Sequence, residues 1–432
     1  MKFHLSTRRV ASVAALAGLG VAFYGTPAHA QQSELDALRQ QITELQKRLD
    51  TLENSQKKAV ETSQTAPATT SKFPLTIGGL FQVHSLNYLG ETVKTGSTNS
   101  SDTFRLRRAE LRLTAPSITD RLSGTVMFDL ARPDSTSVPG SFQGAANNIL
   151  QDFQITYRMN SLASKKTQLF FDAGQFKVPM GYESALTPTN SVAFLERSLI
   201  FSGRDRFNTT YGDQRDAGIQ FRAVTGDLEG RIGVFNGFGD RQNSLASSDS
   251  KAVIGLLAYK PSSIPGLTVG VSGGLGNTGV TFTSTATPTV PATTVNLRAH
   301  RNIVNSFLSY KHDKFTLQGE FLRGAASSFL AGTATNAAID PQGYYFGGSY
   351  FVKPKFEVLA RYDTLDFDHK IDNATVRDYL LGMNYYIKGQ NKIQINLVRR
   401  IGGLAAPTSA TNPAANFRND RLELRTGVQL AF

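Results

Sequence analysis

Apolar and polar positions change their period once along this chain, near Phe73. Before it, Leu35, Leu38, Ile42, Leu45, Leu49 and Leu52 follow a 3-4 spacing, with Glu34, Arg39, Gln41, Gln46, Arg48 and Glu53 beside them. That pattern predicts an amphipathic helix with a narrow coiled-coil seam over residues 31–58. After it, apolar residues alternate with polar ones in short runs separated by Gly, Asn, Asp, Pro and Ser, which predicts strands. In the last run Leu422, Leu424, Val428, Leu430 and Phe432 share one parity, while Arg421, Glu423, Arg425 and Gln429 share the other. Phe356-Val358-Ala360-Tyr362 against Glu357 and Arg361 repeats the pattern, as do Lys392–Leu397, Tyr379–Ile387, Phe315–Phe321, Ala217–Arg222 and Leu122–Leu130.

Two architectures use such strands: a sandwich or barrel with a dry core, and a membrane barrel with a wet lumen. Nearly every strand here carries charge on one face, and aromatics gather near strand ends, as in Tyr344-Tyr345-Phe346 and Tyr385-Tyr386. An apolar band outside, a polar lumen inside and aromatic girdles match a transmembrane antiparallel β-barrel. A closed barrel also satisfies every backbone polar group in lipid without an apolar 20-mer. Strands of about 10 residues plus their turns make residues 74–432 a barrel of about 16 strands. The fold class is therefore all-β with a short N-terminal coiled-coil helix.

The N-terminus reads as an address. Lys2, Arg8 and Arg9 precede an apolar stretch from Val10 to Tyr24, followed by Ala28-His29-Ala30. A basic start, a short apolar segment and an Ala-x-Ala site predict a cleaved signal peptide over residues 1–30 and export from the cytoplasm. Residues 59–73, rich in Thr, Ser, Ala and Pro, read as a flexible linker with no core to offer the helix before it. A helix of under three heptads is marginal alone, so its seam implies burial on another copy in an oligomer held together elsewhere.

Composition narrows the chemistry. The 432 residues contain no Cys and no Trp, 46 basic against 34 acidic side chains, and six His. Zero Cys removes disulfides, thiolate metal sites and a Cys nucleophile. The six His lack ligand-like spacing, so no metal or cofactor is expected. The basic residues are dispersed singly among strands, which together with export argues against nucleic acid. Gly274-Leu275-Gly276-Asn277-Thr278-Gly279 matches a dinucleotide pattern, but Val280-Thr281-Phe282-Thr283 follows as strand, so it is read as a hairpin turn. His84 and His369 are read as girdle or loop residues. No catalytic triad order can be assembled, and no enzyme is expected.

Several segments together resemble the phosphate-selective porin O and P family of Gram-negative outer membranes. They are Phe104-Arg105-Leu106-Arg107-Arg108-Ala109-Glu110-Leu111, Gly174–Gly181 followed by Phe194-Leu195-Glu196-Arg197-Ser198, Gly233–Gly237 and Leu381–Tyr386. A strand ending on Phe432 is similar to the terminal signature of such porins. The resemblance implies a homotrimeric 16-stranded channel in outer-membrane lipid, often with an N-terminal coiled coil, and a ladder of arginines along its path. It leaves the solute open, and the lysine-rich inner loop of a strict phosphate channel is not evident here.

Strand parity places Arg108, Arg112, Arg158, Arg222, Arg231, Arg361, Lys392, Arg421 and Arg425 on the lumenal face. Glu110, Asp129, Glu229, Glu320, Glu357, Asp363 and Glu423 share it, so the positive excess is small. The parity breaks between Leu106 and Ala109, so either Arg107 or Arg108 points inward, beside a bulge. The longest stretch without alternation, Lys177 to Gln214, is long enough to be functional. It carries Lys177 on the anion path and either folds inward, making Arg197, Arg204 and Arg206 the constriction residues, or stays outside with its charges paired. Guanidinium forks suit small anions such as phosphate, which predicts a passive channel. The alternative is a structural protein that tethers the envelope through its coiled coil.

Overall fold

The computed structural model describes residues 40, 43, 44, 46–48, 75–89, 102–116, 118–131, 149–159, 166–202, 215–238, 251–283, 294–329, 336–370, 375–402 and 420–432. The chain divides into two units, residues 1–72 and 73–432. In the first, the described residues between Gln40 and Arg48 are helical and exposed, and Arg48 lies 3.5 Å from Glu44 one turn earlier. The signal peptide, the leucine seam and the linker lie outside the described residues.

The second unit is built from strands. They are β1 (Thr76–Leu89), β2 (Thr103–Ala115), β3 (Leu122–Asp129), β4 (Leu150–Arg158), β5 (Thr167–Lys177), β6 (Arg215–Thr225), β7 (Leu228–Phe235) and β8 (Ala252–Tyr259). There follow β9 (Leu267–Thr283), β10 (Thr294–His312), β11 (Phe315–Phe329), β12 (Asn336–Ile339), β13 (Gln342–Lys353) and β14 (Phe356–Asp366). The last are β15 (Thr375–Lys388), β16 (Asn391–Ile401) and β17 (Arg421–Ala431). Each pairs antiparallel with its neighbours, and β1 closes the ring by pairing with both β2 and β17. The short β12 pairs only with the end of β11, whose main length pairs with β13. Sixteen strands thus form a closed antiparallel barrel, with β12 a ledge upon it. Closure leaves no strand edge without a partner, the condition for crossing lipid.

Short turns join strands at one end. Gly226 and Gly389, with φ of +55° and +59°, sit in two-residue turns after β6 and β15, where the hairpin's twist demands positive φ. At the other end the connections are longer, as in residues 130–149 and 402–420.

Burial is inverted relative to a soluble protein. Leu381, Met383, Val358 and Ile395 point outward and are exposed, while Glu357, Asn384, Lys392, Gln394 and Asn396 point inward and are buried. Alternation also splits the aromatic clusters. Tyr344 and Phe346 face outward, but Tyr345 points into the lumen and donates to Glu320 at 2.8 Å. Likewise Tyr386 turns inward and donates to Glu357 at 2.8 Å. Only every second aromatic can join a girdle, because successive side chains leave opposite faces of a strand.

Three expectations are corrected. Residues 274–279 do not turn; they run through the middle of β9. Gly276 bends that strand with φ +141°, where any side chain would meet the carbonyl of Lys251, just before β8. His84 is neither girdle nor loop, but is buried on the lumenal face of β1. The choice between Arg107 and Arg108 resolves to both. Register shifts so that Leu106 faces Val83 and Arg108 faces Gln82, leaving Arg107 as the bulged residue. Arg105 and Arg107 therefore point inward above the bulge, and Arg108, Glu110 and Arg112 below it.

Candidate functional site

The segment after β5 enters the barrel. Residues 178–202 form a helical turn at Gly181–Leu186, another at Thr189–Ser191 and a third at Leu199–Ser202. Val178, Met180, Leu199, Ile200 and Phe201 pack on Phe176, Phe235, Ile254, Ile303, Leu322 and Leu365, forming an apolar core inside the barrel. A second cluster seats Phe194 on Leu359, Leu380 and Val398. The lumen is thus only partly polar, because the loop needs an apolar seat.

Polar wall residues fasten the loop backbone. Ser272 of β9 accepts from the Gly181 N–H at 2.8 Å, and Glu320 of β11 accepts from the Tyr182 and Glu183 N–H groups at 2.8 and 2.7 Å. Asn384 and Gln394 donate to the Ala193 carbonyl at 2.9 and 2.8 Å, and Lys392 donates to the Val192 carbonyl at 2.6 Å. Asn396 accepts from the Leu195 N–H at 3.0 Å. These contacts satisfy loop groups that would otherwise be buried without partners. Gly181 has φ +73°, and a side chain there would strike the Phe201 ring and Glu320.

The loop's two inner carboxylates are each claimed by arginine. Glu183 lies 3.3 Å from Arg361, whose Nε is 2.8 Å from Asp363. Glu196 receives a fork from Arg107, at 2.8 and 2.9 Å, and a further bond from Arg105; His84 Nδ1 lies 3.7 Å away. Burial alone would raise the Glu196 carboxyl, but Arg107, Arg105 and His84 hold it well below the usual carboxylate range.

Between the loop and strands β1–β7 lies a cavity of about 540 Å³. Its wall carries Arg112, Lys177, Arg215, Arg222 and Arg231 against Glu110, Asp152 and Asp172. Its loop side runs from Ser184 to Asn190 and carries no charged side chain. Within this wall Arg222 donates to Asp172 at 3.2 and 3.3 Å and lies 4.3 Å from the Phe170 ring. Arg231 bonds Glu229 at 2.5 Å, and Arg112 approaches Asp152 at 3.5 Å with half its side chain exposed. A second cavity, of about 640 Å³, lies against β10–β15 and is lined by Lys311, Lys355 and Lys388.

The expected site residues therefore divide. Arg112, Lys177, Arg222 and Arg231 come together on the cavity. Arg158 lies 5.1 Å from the Phe170 ring, and Arg108 bonds Gln82 at 2.7 Å. Arg421 and Arg425 share Glu423. Arg361 and Lys392 are buried fasteners of the loop rather than exposed lumenal charges. Arg197 is corrected likewise: it is buried and donates to the Glu183 and Thr187 carbonyls, bracing the loop from within. Arg204 and Arg206 lie outside the described residues. Parity missed Arg215, at the first position of β6, which donates to Asp152 at 2.5 Å. It also missed Arg400 on β16, which bonds Asp378 at 2.7 Å. Among the described residues no group of three His, Asp or Glu could hold a metal ion.

The model of the phosphate-selective porin O and P family matches residues 86–432. No curated protein matches the chain in sequence. Among solved structures it is similar to the anion-selective porin of Comamonas acidovorans, with TM-score 0.54 and 15% identity over 83% of this chain and 99% of that one. It is similar to outer-membrane expressed OmpT of Vibrio cholerae, with TM-score 0.53 and 10% identity over 83% of this chain and 97% of that one. It is also similar to OmpF of Salmonella typhi, solved with daunomycin, with TM-score 0.50 and 12% identity over 83% and 97%. At these identities the likeness is one of fold.

Proposed function

The chain belongs to the phosphate-selective porin O and P family and is an outer-membrane porin, and from that premise we propose a passive channel for small hydrophilic anions, phosphate among them. The observation that carries this reading is an asymmetry of charge. The β1–β7 wall presents five basic against three acidic side chains, while the loop's own carboxylates turn away to Arg361, Arg105 and Arg107. A permeating anion then meets guanidinium forks on one side and neutral loop surface on the other, which replaces part of its hydration without trapping it. The three acids on the same wall keep the preference weak.

In this reading residues 1–30 are removed on export, and three copies assemble with their N-terminal helices as a coiled coil. A solved neighbour, OmpT of Vibrio cholerae, is described in a trimer form. The test is the reversal potential across a planar bilayer under a salt gradient, repeated with phosphate titrated into chloride. An anion-leaning potential supports the channel proposed here, and block of chloride current by phosphate adds phosphate recognition. A cation-leaning potential refutes it. The heptad seam at Leu35–Leu52 favours a second reading, an envelope tether with little selective transport.

A further inference from the structure

The bulge at Arg107 builds a second anion-recognising group, on strands β1 and β2, outside the cavity wall. We propose that Arg105, Arg107 and His84 form a binding site for a small oxyanion, a carboxylate or a phosphate, which the loop's own Glu196 occupies and so masks. The inference rests on the anion-channel reading for its consequence, and on geometry for the site itself.

Arg107 grips both oxygens of Glu196, with Nε at 2.8 Å from Oε1 and a terminal nitrogen at 2.9 Å from Oε2. Arg105 shares Oε1, and His84 Nδ1 stands 3.7 Å from it. This is how guanidinium forks recognise a free carboxylate or phosphate. The site also holds a donor beyond what a two-oxygen ligand uses: Arg105 Nε is buried with no hydrogen-bond partner. A tetrahedral anion brings a further oxygen for it. The cations remain reachable, since Arg105 and Arg107 are 36% and 30% exposed against 15% for Glu196. Strand alternation puts Arg105 and Arg107 on one face with His84, which pairs with Arg105 across the ladder, and the bulge lets that face turn inward together with Arg108 and Glu110.

Glu196 competes as a tethered ligand. Its effective concentration at the two arginines exceeds that of a millimolar solute, and Leu195 beside it is pinned to Asn396 at 3.0 Å. A solute anion therefore finds this site filled, and conduction follows the cavity wall.

The experiment compares the full-length protein with Glu196→Gln, an isosteric change that removes the charge, using inorganic phosphate as the probe. In chloride-conducting bilayers, phosphate is expected to block E196Q at a concentration at least about tenfold lower than wild type, the scale of one charge-assisted hydrogen bond. Calorimetry in detergent is expected to show saturable phosphate binding to E196Q at least about tenfold tighter than to wild type. Adding Arg105→Gln and Arg107→Gln should abolish both gains. If E196Q fails to give folded barrels, Glu196→Asp withdraws the carboxylate by one methylene and should show the same gain, smaller. Equal block and equal heats in wild type and E196Q overturn the inference and leave the channel reading standing. Binding gained by E196Q in channels that are not anion-selective supports the site and sinks the channel reading instead.

Discussion

Arg361 on β14 reaches Glu183 of the inward loop at 3.3 Å while its Nε lies 2.8 Å from Asp363 on its own strand. The same guanidinium donates to the Glu196 carbonyl at 3.2 Å and lies 4.2 Å from the Phe194 ring. One buried side chain thereby ties the barrel wall to both arms of the loop.

Arg361→Met should loosen that tie. The change leaves Glu183 and Asp363 buried without their cation, and breaking a buried pair from one side costs about 3–5 kcal/mol. Thermal unfolding of the folded barrel should move down, and single-channel records should become noisier as the loop moves. An unchanged unfolding temperature with quiet channels would contradict this role.

Arg112→Glu should act on selectivity instead. Its side chain is half exposed on the cavity. A unit charge ~8 Å from an ion's path contributes about 2 kcal/mol at an effective dielectric of ~20 before screening by salt. The reversal potential should shift toward cations by a several-fold change in permeability ratio, most strongly at low salt. A shift no larger than that of Arg361→Met would remove Arg112 from the path.

Gly181→Ala places a methyl group against the Phe201 ring and Glu320 at a backbone angle that side chains rarely adopt. Overpacking of this kind costs about 1–3 kcal/mol. The barrel should still form, since no strand residue is changed, but with a larger and more variable conductance. A variant with wild-type conductance and stability would show that the loop tolerates repacking there.

The Glu196 clamp predicts a loss of stability in acid. Its carboxyl is held below the usual range by Arg107 and Arg105 when folded and returns to an ordinary value, about 4.3, when unfolded. The contribution is complete above that ordinary value and is lost as pH falls from it through the depressed one. Melting temperatures between neutral pH and about pH 3 should fall more steeply for wild type than for E196Q. Parallel curves would mean the clamp adds nothing to stability.

Deleting residues 31–72 separates transport from tethering. The barrel begins at Thr76 and closes through β1, β2 and β17 without the earlier residues, so conductance and ion preference should survive. Their loss would favour an essential structural role for the helix.

Much of the barrel is legible in the sequence. Period-two alternation assigned Glu357, Arg361 and Glu423 to the face opposite Val358, Ala360 and Leu424, and burial follows that division. The last strand read the same way as far as Phe432, whose N–H donates to the Gly79 carbonyl at 3.2 Å to help close the ring. Alternation failed where a strand departs from regularity. At Arg107 one extra residue flips parity, so an expected choice between two arginines became a row of inward ones. At Gly276 a bent strand carried turn-like composition.

Lumenal parity also says nothing of what a side chain meets across the bore. Arg112 and Lys392 read alike in sequence, yet Arg112 stands half open on the cavity, whereas Lys392 is fully buried on the Val192 carbonyl, 200 residues earlier in the chain. Arg197 sits in the expected loop but spends its charge on the loop's own carbonyls.

The amino-acid sequence by itself determined that the chain is a barrel and which face of each regular strand turns inward. Alternation is local, and lipid leaves no other closed solution for strands of this length. Only the tertiary structure decided which inward charges hold the loop, which pair among themselves and which line the open cavity. Those roles depend on register and distance between strands far apart in the chain, where one bulge or one ion pair outweighs any local pattern.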